Sequence, residues 1–187
     1  MASLGLRILV GIPTWGGVRL VLEATSLLAN RPYEFHFVGT GKEEIAIDKA
    51  AQSDRRIVNH GTLTQENLIN LGQRMDIFVD PRPTRYSENN FPSKLLTYLG
   101  FAKPIISTMG LGVPSSYRAV LIALDAESPT GLASCISTVA NWSSEQKQSY
   151  AKRVREFVAH EKSWHVQGRR FCIWLQRQYA QFDGKGN

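Results

Sequence analysis

The chain has two cysteines, no CxxC pair, no internal repeat and no low-complexity tract. Cys135 and Cys172 each fall in a helical pattern without Cys/His ligand spacing, which excludes a disulfide scaffold or a zinc ribbon. They read as ordinary, partly buried thiols of a reducing compartment. No apolar run reaches the length of a membrane span, and Met1 to Ile12 carries one Arg and a short apolar run without the layout of a secretion leader. The expectation is a cytoplasmic protein. The four histidines, His36, His60, His160 and His165, lack metal-ligand spacing, so no metal site is expected. A dinucleotide fingerprint is missing as well. Gly11, Gly16 and Gly17 are wrongly spaced for Gly-x-Gly-x-x-Gly, and Gly39 stands where an acid should end the second strand. A dehydrogenase or epimerase is therefore disfavoured.

What is present fits one compact domain over residues 1–183, with a disordered tail at 184–187. The 187 residues are 43% hydrophobic and carry a formal charge of +6. That charge suits an anionic partner without choosing among nucleotide, nucleic acid and membrane. No recognition motif supports nucleic acid.

Apolar runs of strand length alternate with helical patterns, the pattern of a parallel sheet built from βαβ units. Strands are expected at Arg7 to Ile12, Glu34 to Val38, Arg56 to His60, Asp76 to Asp80, Pro104 to Ser107 and Val120 to Ala123. Helices are expected from Val18, over Glu43 to Gln52, after Thr64, over Pro92 to Phe101 and over Pro129 to Val139. Two more follow, one opened by the capping box of Ser143 and Gln146 and one capped by Ser163. The apolar residues of the last helix, Phe171, Trp174 and Leu175 among them, are expected to pack on the domain while its arginines stay wet. The sharper reading of this basic, Trp-bearing surface is contact with an anionic membrane or with another lobe.

The most informative stretch runs from Pro81 to Thr108. A polar loop through Glu88 and Asn89 leads to Asn90-Phe91-Pro92-Ser93-Lys94 and then a buried strand. Pro92 suits a first helical position, leaving the next amides without intrahelical partners and attractive to anions. Lys94 there opposes the helix dipole, which a bound diphosphate would explain. His60 and Gly61 lie at the carboxyl edge of the sheet, where ligands of open α/β sheets bind.

Taken in order, several segments resemble the C-terminal, nucleotide-sugar-binding lobe of GT-B-fold glycosyltransferases of the group 1 family. They are Val18 to Ala24, the turn Phe37 to Gly41, Gly61, Asp76 to Pro81, Phe91 to Lys94, Lys103 to Thr108 and Ser163-Trp164. The resemblance implies a Rossmann-like open parallel sheet flanked by helices, with a helical C-terminus. It implies a retaining hexosyltransferase that takes a UDP-, GDP- or ADP-sugar as substrate, uses no cofactor, and acts in polysaccharide or glycan assembly on a glycan or lipid-linked acceptor.

Carried over residue by residue, Lys94 would contact the diphosphate and Ser93 would add a hydroxyl and an amide. Glu88 or Asn89 would face the transferred sugar, and Thr97 would take the ribose position. Glu88 and Lys94 are the candidate catalytic residues. Asn89, Asn90, Phe91, Pro92, Ser93, Thr97, Gly39, His60 and Gly61 join Lys94 as candidate donor-binding residues. No Asp-x-Asp pair is present, so metal-independent transfer is expected.

Three departures stand out. Thr97 replaces a Glu, and one hydroxyl cannot match a carboxylate's grip on ribose. Ile12, Thr14, Trp15 and Gly16 replace the Arg and Lys usual after the first strand, leaving Arg82 or Arg85 to help Lys94. The acceptor-binding N-terminal lobe has no counterpart, which implies a separate or missing partner. The alternative is a catalytically inactive subunit that pairs with such a partner.

Overall fold

The computed structural model describes residues 5–12, 16–86, 90–124 and 126–183. Six strands form one sheet: β1 (Leu6–Gly11), β2 (Tyr33–Val38), β3 (Ile57–Asn59), β4 (Ile77–Asp80), β5 (Ile105–Ser107) and β6 (Ile122–Ala123). They are all parallel, in the order β3-β2-β1-β4-β5-β6. The helices are α1 (Val18–Leu27), α2 (Glu44–Ser53), α3 (Gln65–Arg74), α4 (Lys94–Leu99), α5 (Pro129–Ala140), α6 (Ser144–Phe157) and α7 (Trp164–Asp183).

Alternation along the strands sends successive side chains to opposite faces. Ile8 and Val10 join Phe35, Phe37, Val79 and Ile106 in a core layer with Val21, Ile47 and Ile136 of α1, α2 and α5. Leu9, Phe78 and Ile105 join the other layer, with Leu71, Leu95, Leu99 and Val154 of α3, α4 and α6. Two covered faces explain why β1 and β4 read as unbroken apolar runs.

Side chains then fix the helix ends. Thr64 accepts from the Asn67 amide at 3.3 Å, and the Ser143/Gln146 capping box closes in both directions. The Lys103 ammonium caps the far end of α3 through the carbonyls of Gln73, at 2.6 Å, and Met75. Buried Tyr150 of α6 accepts from the Ile105 amide at 3.1 Å and donates to the Val120 carbonyl, tying α6 to the β5 edge.

Four expectations need correction. The helix placed over Pro92 to Phe101 is six residues long, because Pro92 and Ser93 form a tight turn in which the Leu95 and Leu96 amides donate to Pro92 O and Ser93 O at 2.9 and 3.0 Å. Those two amides are therefore engaged. The last strand is shorter than Val120 to Ala123, since Val120 and Leu121 close a 3₁₀ turn over Ser115–Ala119. Phe171 and Trp174 of α7 are exposed, not packed, and so is Cys172, while Cys135 is half-buried. Residues 184–187, expected as a tail, lie outside the described residues. Among the described residues, no helix is long and apolar enough to cross a membrane.

Candidate functional site

The order of strands reverses between β1 and β4, so chains leaving their carboxyl ends diverge and open a crevice there. Gly11 and Ile12 form one lip, and Asp80 and Pro81 the other. From α4, Lys94 reaches across so that its ammonium donates to the Ile12 carbonyl oxygen. One turn on, Tyr98 is buried with its hydroxyl against Gly11, where a Cβ would collide with it. Burial holds the Tyr98 phenol far above its ordinary range, with the Asp80 charge adding to the effect.

Asp80 ends β4 in a fully buried position, and neither carboxylate oxygen has a hydrogen-bond partner among the described residues. Burial pushes its carboxyl up, opposed by the charges of Arg82 and Lys94. Burial likewise pushes the Lys94 ammonium down, opposed by Asp80.

Lys94 also lines a small cavity of about 160 Å³ with Gly11, Gly39, Thr62, Thr97 and Tyr98. Three of the residues singled out in the sequence, Gly39, Lys94 and Thr97, thus share one space. Gly61 adjoins it, since the Gly39 amide donates to Gly61 O at 2.7 Å, and both glycines hold positive φ, 114° and 58°. The His60 ring instead meets His36, with Nε2 2.9 Å from His36 Nδ1. Phe91 packs on Tyr117 at 5.1 Å, Pro92 is buried, and Asn90 and Ser93 are exposed. Glu88 and Asn89 lie outside the described residues. No group of three or more His, Cys, Asp or Glu side chains able to hold a metal occurs among the described residues.

A larger cavity, about 940 Å³, opens on the α1 and α5 side of the same edge between Gly16, Gly17, Arg19, Lys42, Arg85 and Glu127. Two carboxylates that the sequence reading passed over sit on amides here. Glu43 accepts from the Val18 amide at the start of α1 at 3.1 Å and pairs with Arg19 at 3.5 Å. Glu127 accepts from the Thr84 amide at 3.1 and 3.2 Å. The helix end that could receive a phosphate is held by the protein's own acid. Its sequence signal is faint, a Glu after the Gly39-Thr40-Gly41 turn, and the pairing spans 25 residues.

An open parallel sheet with a cation and a cavity at its switch point defines a Rossmann-like, ligand-binding type of domain. Residues 8–141 match the family described as Glycosyl transferases group 1, and the chain belongs to that family. Its fold is that of one lobe of a GT-B glycosyltransferase. A glycosyltransferase from Rickettsia africae superposes with a TM-score of 0.78 at 17% identity, over 94% of this chain and 48% of that one. The C-terminal domain of a group 1 family glycosyl transferase from Francisella tularensis gives 0.67 at 15% identity, over 85% and 87%. The Anabaena protein HepE, in complex with UDP and glucose, gives 0.72 at 13% identity, over 92% and 48%. The chain spans about half the length of the Rickettsia and Anabaena proteins. No match occurs among curated proteins.

Proposed function

We propose that this chain is the donor half of a cytoplasmic hexosyltransferase, binding a nucleoside-diphosphate sugar at the carboxyl edge of β1 and β4. The observation that carries this reading is the meeting of Lys94, Thr97 and Gly39 around one cavity beside the switch point. In that arrangement the Lys94 ammonium would leave Ile12 O for a phosphate and meet the charge that grows on the departing diphosphate. Thr97 would hold a ribose hydroxyl through a single contact. UDP, GDP and ADP sugars are the candidate donors, the UDP complexes of HepE adding weight to the first. The reaction needs no metal in this reading, and a glycan or lipid-linked acceptor would be held by a second lobe. The exposed Trp164, Phe171 and Trp174 of α7 offer that lobe an apolar contact.

Calorimetry with UDP, GDP and ADP tests the assignment. At least one should bind, and Lys94→Ala should weaken it about tenfold or more, as expected for loss of a charge-assisted contact. No binding at millimolar nucleotide would sink the reading.

A second reading, an inactive subunit that docks on a catalytic partner, is favoured by Thr97 in the ribose position and by Glu43 on the α1 amide. Reconstitution with an acceptor half separates the two. Transfer of labelled sugar supports the enzyme, and complex formation without transfer supports the subunit.

A further inference from the structure

We propose that Tyr117 is a positioning residue for the first turn of α4. Its ring seats Phe91 and is itself held by Phe157 and Lys162, so that the corner between α6 and α7 helps to set where Lys94 stands. The proposal rests on the donor-site reading for what Lys94 meets, but not for how Lys94 is placed.

At six residues, α4 is too short to hold its shape by helix propensity, and tertiary packing must do so. Leu95, Tyr98 and Leu99 supply that packing against the sheet. The entrance needs an anchor of its own. Ser93 makes no side-chain cap bond among the described residues, and Asn90 and Ser93 are exposed. Phe91, directly before Pro92 and three residues ahead of Lys94, is the aromatic anchor there. Its ring lies 5.1 Å from that of Tyr117 at an angle of 54°, within the range of favourable aromatic pairs.

Tyr117 is well held in its turn. It is buried in the 3₁₀ segment Ser115–Ala119, where its amide donates to Pro114 O at 3.0 Å and its carbonyl accepts from the Val120 and Leu121 amides, both at 2.9 Å. From the C-terminal helices, Phe157 meets the ring edge-on, at 5.2 Å and 69°. The Lys162 ammonium stands 4.4 Å from the Tyr117 ring centroid and 5.3 Å from that of Phe157, both cation–π distances. Lys162 ends the single π-helical turn Val158–Lys162 between α6 and α7, a wide turn of a kind that recurs at functional places. Side chains pin this corner. Ser163 donates to Ala159 O at 3.0 Å, and Arg170 of α7 pairs with Glu161 at 2.7 Å. A continuous line of contacts thus runs from the corner through Lys162, Tyr117 and Phe91 to the turn that launches α4.

Amide hydrogen exchange on the full chain without nucleotide reads this placement. The probes are the Leu95 and Leu96 amides, bonded to Pro92 O and Ser93 O. Tyr117→Leu keeps an apolar side chain and removes the ring, and should quicken their exchange about tenfold, as expected for the loss of two ring pairs. Lys162→Met removes only the cation and should quicken it about threefold. Tyr117→Phe keeps the ring and should restore the rate of the unaltered protein. Amides of α1, which lies on the opposite core layer, serve as the internal reference and should not change. A second arm measures UDP, GDP and ADP affinity by calorimetry. Affinity should fall about tenfold in Tyr117→Leu, about threefold in Lys162→Met and little in Tyr117→Phe.

Unchanged exchange at Leu95 and Leu96 in the Leu and Met variants overturns the proposal whether or not a nucleotide binds. An equal rise in α1, a Phe variant as fast as the Leu variant, or faster local exchange with undiminished nucleotide affinity overturns it too. Faster local exchange with no nucleotide bound by any of the proteins upholds Tyr117 as the anchor of α4 and overturns the donor-site reading. Should Tyr117→Leu misfold, Lys162→Met, altered at a half-buried position, decides by the same readings.

Discussion

His36 and His60 lie in adjacent strand segments, with stacked rings whose centroids are 5.2 Å apart and ring nitrogens at 2.9 Å. One proton between the two nitrogens makes a hydrogen bond, whereas two bring like charges together. Both imidazoles are accordingly held below their ordinary value of 6.5, first by burial, with His36 adding repulsion on His60. Glu34 pulls His36 the other way, but its Oε2 stands 3.5 Å from Nε2, a poor hydrogen-bond length. The sign of the linkage follows. Between 6.5 and the lowered folded values the unfolded chain binds more protons, so stability rises with pH and is lost as pH falls below about 6.5. Urea titrations from pH 7.5 down to 5 should show this fall, and His60→Asn should flatten it. A slope unchanged in the variant would assign the acid sensitivity to other groups. Neither the pair nor the orphaned Asp80 was legible in the sequence. His36 and His60 stand 24 residues apart, and Asp80 reads like any polar residue closing a strand.

At the scale of elements, Tyr150 is the join between the C-terminal helices and the sheet. Its hydroxyl serves the Ile105 amide and the Val120 carbonyl together, and burial pushes its phenol up to about 12. Tyr150→Phe keeps the ring and strands both backbone groups in an apolar setting. A loss of about 1–3 kcal/mol in the free energy of unfolding is expected from denaturant titration. The alternation of strands and helices and the caps at Thr64, Ser143 and Ser163 could be read from sequence because each is set by neighbours within a turn or two. The length of α4 could not. Pro92 allows either a helix start or a tight turn, and it is the packing of buried Leu95 and Tyr98 under β1 and β4 that decides where the helix begins. Lys94 was legible as a site candidate from its place at the helix start, and Gly39 and Thr97 through the resemblance. Glu43 and Glu127 were not, because their roles exist only where distant loops meet.

For the molecule as a whole, the uneven element is α7. It carries an apolar stripe through Trp164, Phe171 and Trp174, yet Trp164 is 93% exposed and none of the described side chains of the helix joins either core layer. A helical period in sequence reports that one face seeks cover and not which surface supplies it, which is why burial on the domain was the natural expectation. Arg169, Arg170 and Arg177 share the helix, so a lipid surface and a second lobe make different demands on it. Phe171→Ser with Trp174→Ser should leave the melting temperature within a few degrees, as expected for side chains outside the core. The pair should weaken capture by an acceptor half by at least about tenfold. Unimpaired capture together with lost flotation on anionic vesicles would assign the face to the membrane instead.

Gly17, with φ of 106°, opens α1 so close to the β4 exit that any side chain on it would strike the Pro81 carbonyl. The first and fourth crossovers of the sheet thus approach each other closely, immediately beside Asp80. A side chain at Gly17 would push the β4 exit away from α1, so this glycine sets how closely the two halves of the doubly wound sheet approach where their strands part company.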